Sequence, residues 1–251
     1  SLKTWAKSMA GCDGGNPNAK VWLCGIEWGG GGGNDGAYYQ TILQPEIESG
    51  LAPVCADIYD WRRQNSYRYG KSFSKLYTAY SGQPITEYFD YTNLLSGTEV
   101  FKLNLYPIAF DSTDESHWHN HGLDAIHRFP FFAELRSRYT PDLVVCCGLT
   151  YLDKFLRFFG ANASDVAALR VEVIPCNSNS SSRNAPRRMY VTRLNGNTLF
   201  ACIPFFSGSY GLNSDDMLAF VGKRLHELRG PRLRPSGVTP LSSANDLKFS
   251  A

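Results

Sequence analysis

A carboxylate, a carboxamide and a pair of hydroxyls stand at three well-separated points of this chain, each where an apolar run ends. Glu27 lies in Gly25-Ile26-Glu27-Trp28-Gly29, beside a glycine run at 29–33. A carboxylate there can orient a water or stabilise a positively charged sugar in a transition state. It can equally be a surface Glu at a loop entrance. Asn104 sits within an apolar run, where a polar side chain is costly to bury without a partner. Its amide offers both a donor and an acceptor, which suits the edge of a nucleobase, or simply the backbone. Ser207, Gly208 and Ser209 can hold phosphates through hydroxyls and backbone N–H groups. Tyr210 or Leu212 can then wedge into the gap an extruded base leaves. The same stretch also reads as a plain strand-to-helix loop. Tyr38, Tyr39 and Tyr106 are candidate stacking faces, each also compatible with ordinary packing. The glycines do not spell a nucleotide P-loop.

The elements that must position these groups follow from hydrophobic pattern. Short apolar runs at 20–25, 100–107, 141–148 and 199–204 predict strands. Helical spacing predicts helices at 37–49, through Leu76 and Tyr80, at 129–139, at 150–159 closed by Gly160, and through Met217, Phe220, Val221, Leu225 and Leu228. Asn213 and Asp216 read as that last helix's capping box. Residues 171–175 and 189–193 are expected to pair as a hairpin. Strands alternating with helices predict an α/β fold, a three-layer α/β/α arrangement with a short, mainly parallel central sheet of about four strands. Ligands of such sheets bind beyond the carboxyl ends of the strands, where the three chemical groups fall. One domain over 1–229 is expected, followed by a loosely ordered tail at 230–251.

A net charge of +2 on 251 residues excludes a uniformly basic nucleic-acid coat. Contact with DNA would need a local stripe. Arg62, Arg63, Arg68, Lys71 and Lys75 form one candidate, interleaved with aromatics; Arg183, Arg187, Arg188 and Arg193 form another. His117, His119, His121 and His127 lie close together but lack the paired Cys of a zinc signature, so no metal or other cofactor is expected. Seven cysteines, with Cys24, Cys146, Cys147 and Cys202 in apolar runs, read as reduced core thiols and a cytoplasmic setting. No signal peptide or membrane span is expected, and no obligate protein partner.

Taken together, Gly25-Ile26-Glu27-Trp28-Gly29, Phe101-Lys-Leu-Asn104, the unit from Leu143 to Phe159, Ile203-Pro204-Phe205 and the final helix resemble the uracil-DNA glycosylase superfamily. The resemblance covers roughly residues 20–228 by order of elements. It implies that Glu27 and Asn104 are catalytic, and that Gly25, Ile26, Trp28, Tyr38, Tyr39 and Tyr106 surround the base. It implies further that Ser207, Gly208, Ser209, Tyr210 and Leu212, with Arg62, Arg63, Arg68, Lys71, Arg187 and Arg188, meet the DNA. Two departures stand out: Trp28 replaces the family's proline, and Ile203 replaces the histidine that donates to the leaving base. The second points to a substrate other than plain uracil. The expected activity is flipping and hydrolytic excision of a modified or non-standard base. That would leave an abasic site, in repair or in defence against phage with modified DNA. A non-catalytic DNA-binding protein on the same fold is the alternative.

Overall fold

The computed structural model describes residues 12–15, 18–26, 28–29, 68–87, 99–106, 109–110, 135–175 and 186–230. In chain order the strands are β1 (Cys12–Gly15), β2 (Val21–Gly25), β3 (Trp28–Gly29), β4 (Val100–Asn104), β5 (Ala109–Phe110), β6 (Leu143–Cys147), β7 (Arg170–Ile174), β8 (Arg187–Leu194) and β9 (Thr198–Ile203). The helices are α1 (Arg68–Tyr80), α2 (Leu152–Phe158), α3 (Ala163–Ala167) and α4 (Asp215–Arg229).

Seven strands make one sheet, in the order β1-β4-β2-β6-β9-β8-β7. The four central strands β4, β2, β6 and β9 run parallel. β1, β8 and β7 add antiparallel edges. The sheet is therefore larger and more mixed than the four strands expected. The apolar runs marked its parallel centre, and the 171–175/189–193 hairpin is present as β7–β8. β1 is Cys-Asp-Gly-Gly, a stretch with no β-forming side-chain signature, so the pattern could not announce it.

Every residue of β2, β4, β6 and β9 is buried. This is why these strands read as unbroken apolar runs: with both faces covered, alternation has nothing to report. On one face Trp22, Cys24, Phe101, Leu103, Val144, Cys146 and Phe200 pack with Phe155, Leu156 and Phe158 of α2. On the other, Leu23, Val145, Cys147, Leu199 and Ala201 pack with Phe73 and Leu76 of α1 and with Met217, Val221 and Leu225 of α4.

The cap of α4 lies one residue past the expected place. Ser214 Oγ accepts from the Met217 N–H at 3.3 Å. Asn213 instead donates to the Gly208 carbonyl at 3.3 Å. α3 opens with a reciprocal Asn162–Asp165 capping box, and the buried Asp165 carboxylate also accepts from the Asn195 N–H at 3.2 Å. A lysine reaches across the second face: Lys75 holds Asp215 at 2.8 Å, tying α1 to the first turn of α4.

α4 lies on α1 at Gly222. A Cβ there would overlap the Leu76 carbonyl oxygen and come 2.7 Å from Ala79 Cβ. Further along, His226 Nδ1 lies 2.7 Å from the Tyr80 carbonyl, at the C-terminus of α1 where helix carbonyls lack internal partners. For Gly222→Ala, helix propensity favours alanine by about 1 kcal/mol, while overpacking against a rigid backbone costs about 1–3 kcal/mol. The overlap wins. Gly222→Ala is expected to lower stability by roughly 1–2 kcal/mol in urea unfolding, and an unchanged midpoint would mean the two helices stand further apart.

Candidate functional site

The central strands cross over beside β2. The chain passes from β2 to β4 on one side, then returns to place β6 on the other. In open α/β sheets the ligand crevice forms at such a point, outside the carboxyl ends. Here those ends are Gly25 of β2, followed by Ile26, and Cys147 of β6, followed by Gly148. The chains leaving β2 and β4 stay together beyond the sheet: Leu105 N–H donates to the Gly25 carbonyl at 2.9 Å and Tyr106 N–H to Ile26 at 2.8 Å. They then pair again, in parallel, as β3 and β5.

Gly25 and Asn104 are register partners at the ends of β2 and β4. Asn104 is 1% exposed. Its Oδ1 lies 2.5 Å from where a Gly25 Cβ would be, and the Tyr69 hydroxyl lies 3.6 Å from the same point. Glycine at 25 thus gives the amide its place. Tyr69 comes from the first turn of α1. Its ring meets Phe206 edge-on at 5.0 Å. Lys102 stands two residues before Asn104 on the same face, 4% exposed, with its Nζ 5.6 Å from the Tyr69 ring centroid.

The second group is the loop after β9. Leu212 N–H donates to the Phe205 carbonyl at 2.7 Å, closing the loop at its base. Gly208 has φ 82°, a left-handed value that favours glycine. A side chain on Gly211 would overlap the Ser207 carbonyl. Arg187 Nη2 donates to the Ser209 carbonyl at 2.6 Å, and its guanidinium lies 5.5 Å from the Tyr210 ring centroid. Ser207, Gly208 and Ser209 are exposed, and Tyr210 is 77% exposed. A cavity of about 400 Å³ lies between this loop and Leu149 and Thr150. That is within the usual size of small-molecule pockets, roughly 300–1,000 Å³.

The structure therefore sets Gly25 with Asn104, and Ser207, Gly208, Ser209 with Tyr210, along one edge of the sheet. β6 lies between the two groups, and Asn104 does not line the cavity. The Tyr69–Phe206 contact joins them. Lys71 is exposed beside Asn213 and Asp215, near the same loop. Arg188 is exposed on β8.

Several expected roles are corrected. Leu212 is fully buried among the α4-face residues, so it anchors the loop and cannot wedge. Tyr106 is fully buried on the α2 face, with Lys154 over its ring at 5.7 Å, so it offers a base no free face. Ile26 is 3% exposed and belongs to the same core. Arg187 is buried and engaged with the loop backbone, so it braces the phosphate-binding candidate from behind. Lys75 is neutralised by Asp215. Arg193 lies at the opposite edge, donating to the Leu228 and Arg229 carbonyls at the end of α4. The second basic cluster is thus split between two ends of the sheet. Glu27, Tyr38, Tyr39, Arg62, Arg63, Arg183 and the four clustered histidines lie outside the described residues; Trp28 and Arg68 are described by backbone alone. Among the described residues no His, Cys, Asp and Glu group is arranged to hold a metal, and no helix is long and apolar enough to cross a membrane.

The thiols are structural in character. Cys24, Cys146 and Cys202 are in register across β2, β6 and β9, free and buried. Burial pushes the Cys146 and Cys202 thiols well above the ordinary range, and that of Cys147 up to about 12. At neutral pH these last three are protonated and poor nucleophiles. Cys147 is read from the sequence as a core thiol, but Lys102 and Tyr69 are not among the expected site residues. The available signal was a lysine inside a run otherwise buried on both sides. No protein-family model matches the chain, and no curated protein matches it in sequence.

Burial lowers the Lys102 amine from 10.5 to about 7. Below about pH 7 the amine is protonated both folded and unfolded. Between about 7 and 10.5 only the unfolded chain holds that proton, so stability rises with pH across this window. At about 1.4 kcal/mol per pKa unit, the cost of burying the charge below pH 7 is on the order of 4–5 kcal/mol. Lys102→Met is expected to stabilise the fold by a few kcal/mol near pH 6.5, with a much smaller gain at pH 9.5. Urea unfolding at both pH values checks this; an equal gain at both means Lys102 does not titrate between them.

Proposed function

We propose that the chain is a DNA glycosylase, a divergent member of the uracil-DNA glycosylase superfamily with that family's three-layer α/β/α arrangement. The observation that carries the reading is the pairing of Gly25 with Asn104 at the carboxyl ends of adjacent parallel strands, the glycine leaving room for a buried amide. Two features support it. The four parallel strands stand in the spatial order second, first, third, fourth, with helices on both faces. The exposed Ser207-Gly208-Ser209-Tyr210 loop follows the fourth of them, on the same edge.

In this reading Ser207, Gly208 and Ser209 hold phosphates, and Lys71 and Arg188 add positive charge. Tyr210, not Leu212, fills the space vacated by the flipped nucleotide. Asn104 reads the base edge. Glu27 stabilises the oxocarbenium-like sugar or positions water, and hydrolysis releases the base and leaves an abasic site. Extruding the nucleotide costs a few kcal/mol, least for a poorly paired base. The reaction needs no cofactor. Ile203 is fully buried, so its backbone position presents no proton donor to a departing base. This favours a modified base that leaves more readily, whether in repair or in defence against phage with modified DNA. The same observation is what favours the second reading, a DNA-binding protein without catalysis.

The test is incubation with DNA carrying a panel of standard and modified bases, followed by hot alkali. Strand breaks with at least one base are expected, reduced about 100-fold or more by Glu27→Gln. Gly25→Ala, which drives a Cβ into Asn104 Oδ1, is expected to abolish breakage while the chain stays folded. No breaks with any base, together with DNA affinity that falls steeply with salt, would establish the non-catalytic reading.

A further inference from the structure

We infer that the cavity between the loop after β9 and the turn at Leu149 and Thr150 takes a second nucleobase, unpaired and from the same strand as the extruded one, so that the substrate is single-stranded DNA. The inference rests on the proposed reading of Asn104 as the group that meets the extruded base, and it names the strand form that reading leaves open. The cavity of about 400 Å³ is lined mainly by apolar groups, with Phe205, Tyr210, Leu149 and Pro204 among them. Phe205 is 36% exposed although it belongs to the carboxyl edge of a buried sheet. Its ring is seated by Gly148, where a Cβ would come within 2.8 Å of Phe205 Cζ. Tyr210 stands at the mouth, with the Arg187 guanidinium 5.5 Å from its ring centroid. Two rings held in this way form a stacking platform before any ligand arrives. Stacking on such rings accepts any base, since every base has a flat face.

The rim has the opposite character. Ser207, Gly208 and Ser209 line the same cavity and are exposed, offering hydroxyls and backbone N–H groups to a phosphate. An apolar interior with a hydroxyl rim matches a nucleotide, ring inward and phosphate outward. The place is distinct from that of the extruded base. β4, which carries Asn104, and β9 stand three strand spacings apart, about 14 Å. One base cannot occupy both places. In a duplex the neighbours of an extruded nucleotide stay paired and stacked, with a rise of about 3.4 Å. They cannot leave that stack for a cavity in the protein. Bases of an unpaired strand can, and Tyr210 then takes the vacated place between them.

The test is fluorescence anisotropy of the full chain at fixed salt with three fluorescein-labelled probes: a 12-nucleotide oligothymidylate, its duplex with oligodeoxyadenylate, and a 12-unit strand of abasic spacers with the same phosphates. The single strand is expected to bind at least fivefold more tightly than either of the others. Phe205→Leu, which removes the flat ring, and Thr150→Trp, which fills the cavity from an exposed position, are each expected to weaken single-strand binding about fivefold or more. Duplex binding stays within twofold. Equal affinity for single strand and duplex, or for single strand and abasic strand, overturns the inference. So does unchanged single-strand binding in both variants. If Phe205→Leu does not fold, Thr150→Trp decides alone. A single-strand preference lost in these variants, without alkali-sensitive breaks in any DNA, upholds the second base pocket and removes the glycosylase reading. Breaks in DNA with no such preference do the reverse.

Discussion

Complete burial of the parallel strands on both faces is the constraint from which the rest of this molecule follows. Inside β2, β4, β6 and β9 a polar side chain has no water to turn to. Polar chemistry is driven to the carboxyl ends, where Asn104 and the loop after β9 stand, or is tolerated at a cost, as at Lys102. The same constraint keeps the Cys146, Cys147 and Cys202 thiols protonated and inert. It also explains why the helices must approach closely: Gly222 lets α4 settle onto α1, and the covering layer over the second face is sealed by that contact.

Two glycines at the loaded edge act through what they lack. At Gly25 the absent side chain is replaced by an amide oxygen from the neighbouring strand. At Gly148, with φ 125°, the corresponding space is taken by the Phe205 ring and the Ile26 side chain. The crevice between β2 and β6 is therefore floored by groups from other strands, and its chemistry depends on residues distant in sequence.

Much of the framework was legible in the sequence because burial leaves a pattern. The four apolar runs, the β7–β8 hairpin and the long final helix are all features that side-chain type alone signals. Exposure is different. Leu212 and Tyr210 sit two residues apart in the same loop, yet one is buried and the other points outward, a distinction set by the Leu212–Phe205 backbone hydrogen bond. Arg187 and Arg193 share a strand but lie toward opposite ends of the sheet, so a cluster in sequence is not a patch in space. Lys102 escaped notice because one lysine in an apolar run looks like a strand's solvent-facing residue; that both faces are covered is a property of the layers. The α4 cap was misplaced by one residue because Asn213, Ser214 and Asp216 are all competent capping types.

The closed loop from Phe205 to Leu212 also bears on the cost of recognition. It is fastened at its base by a backbone bond, from the side by Asn213 and from behind by Arg187. Fixing one residue's backbone costs roughly 1–2 kcal/mol. A segment already ordered in the free protein does not pay that penalty at the moment of contact. Whatever seats itself against Ser207 and Tyr210 therefore meets a rigid surface, and its hold reflects the quality of fit more than the ordering of a chain.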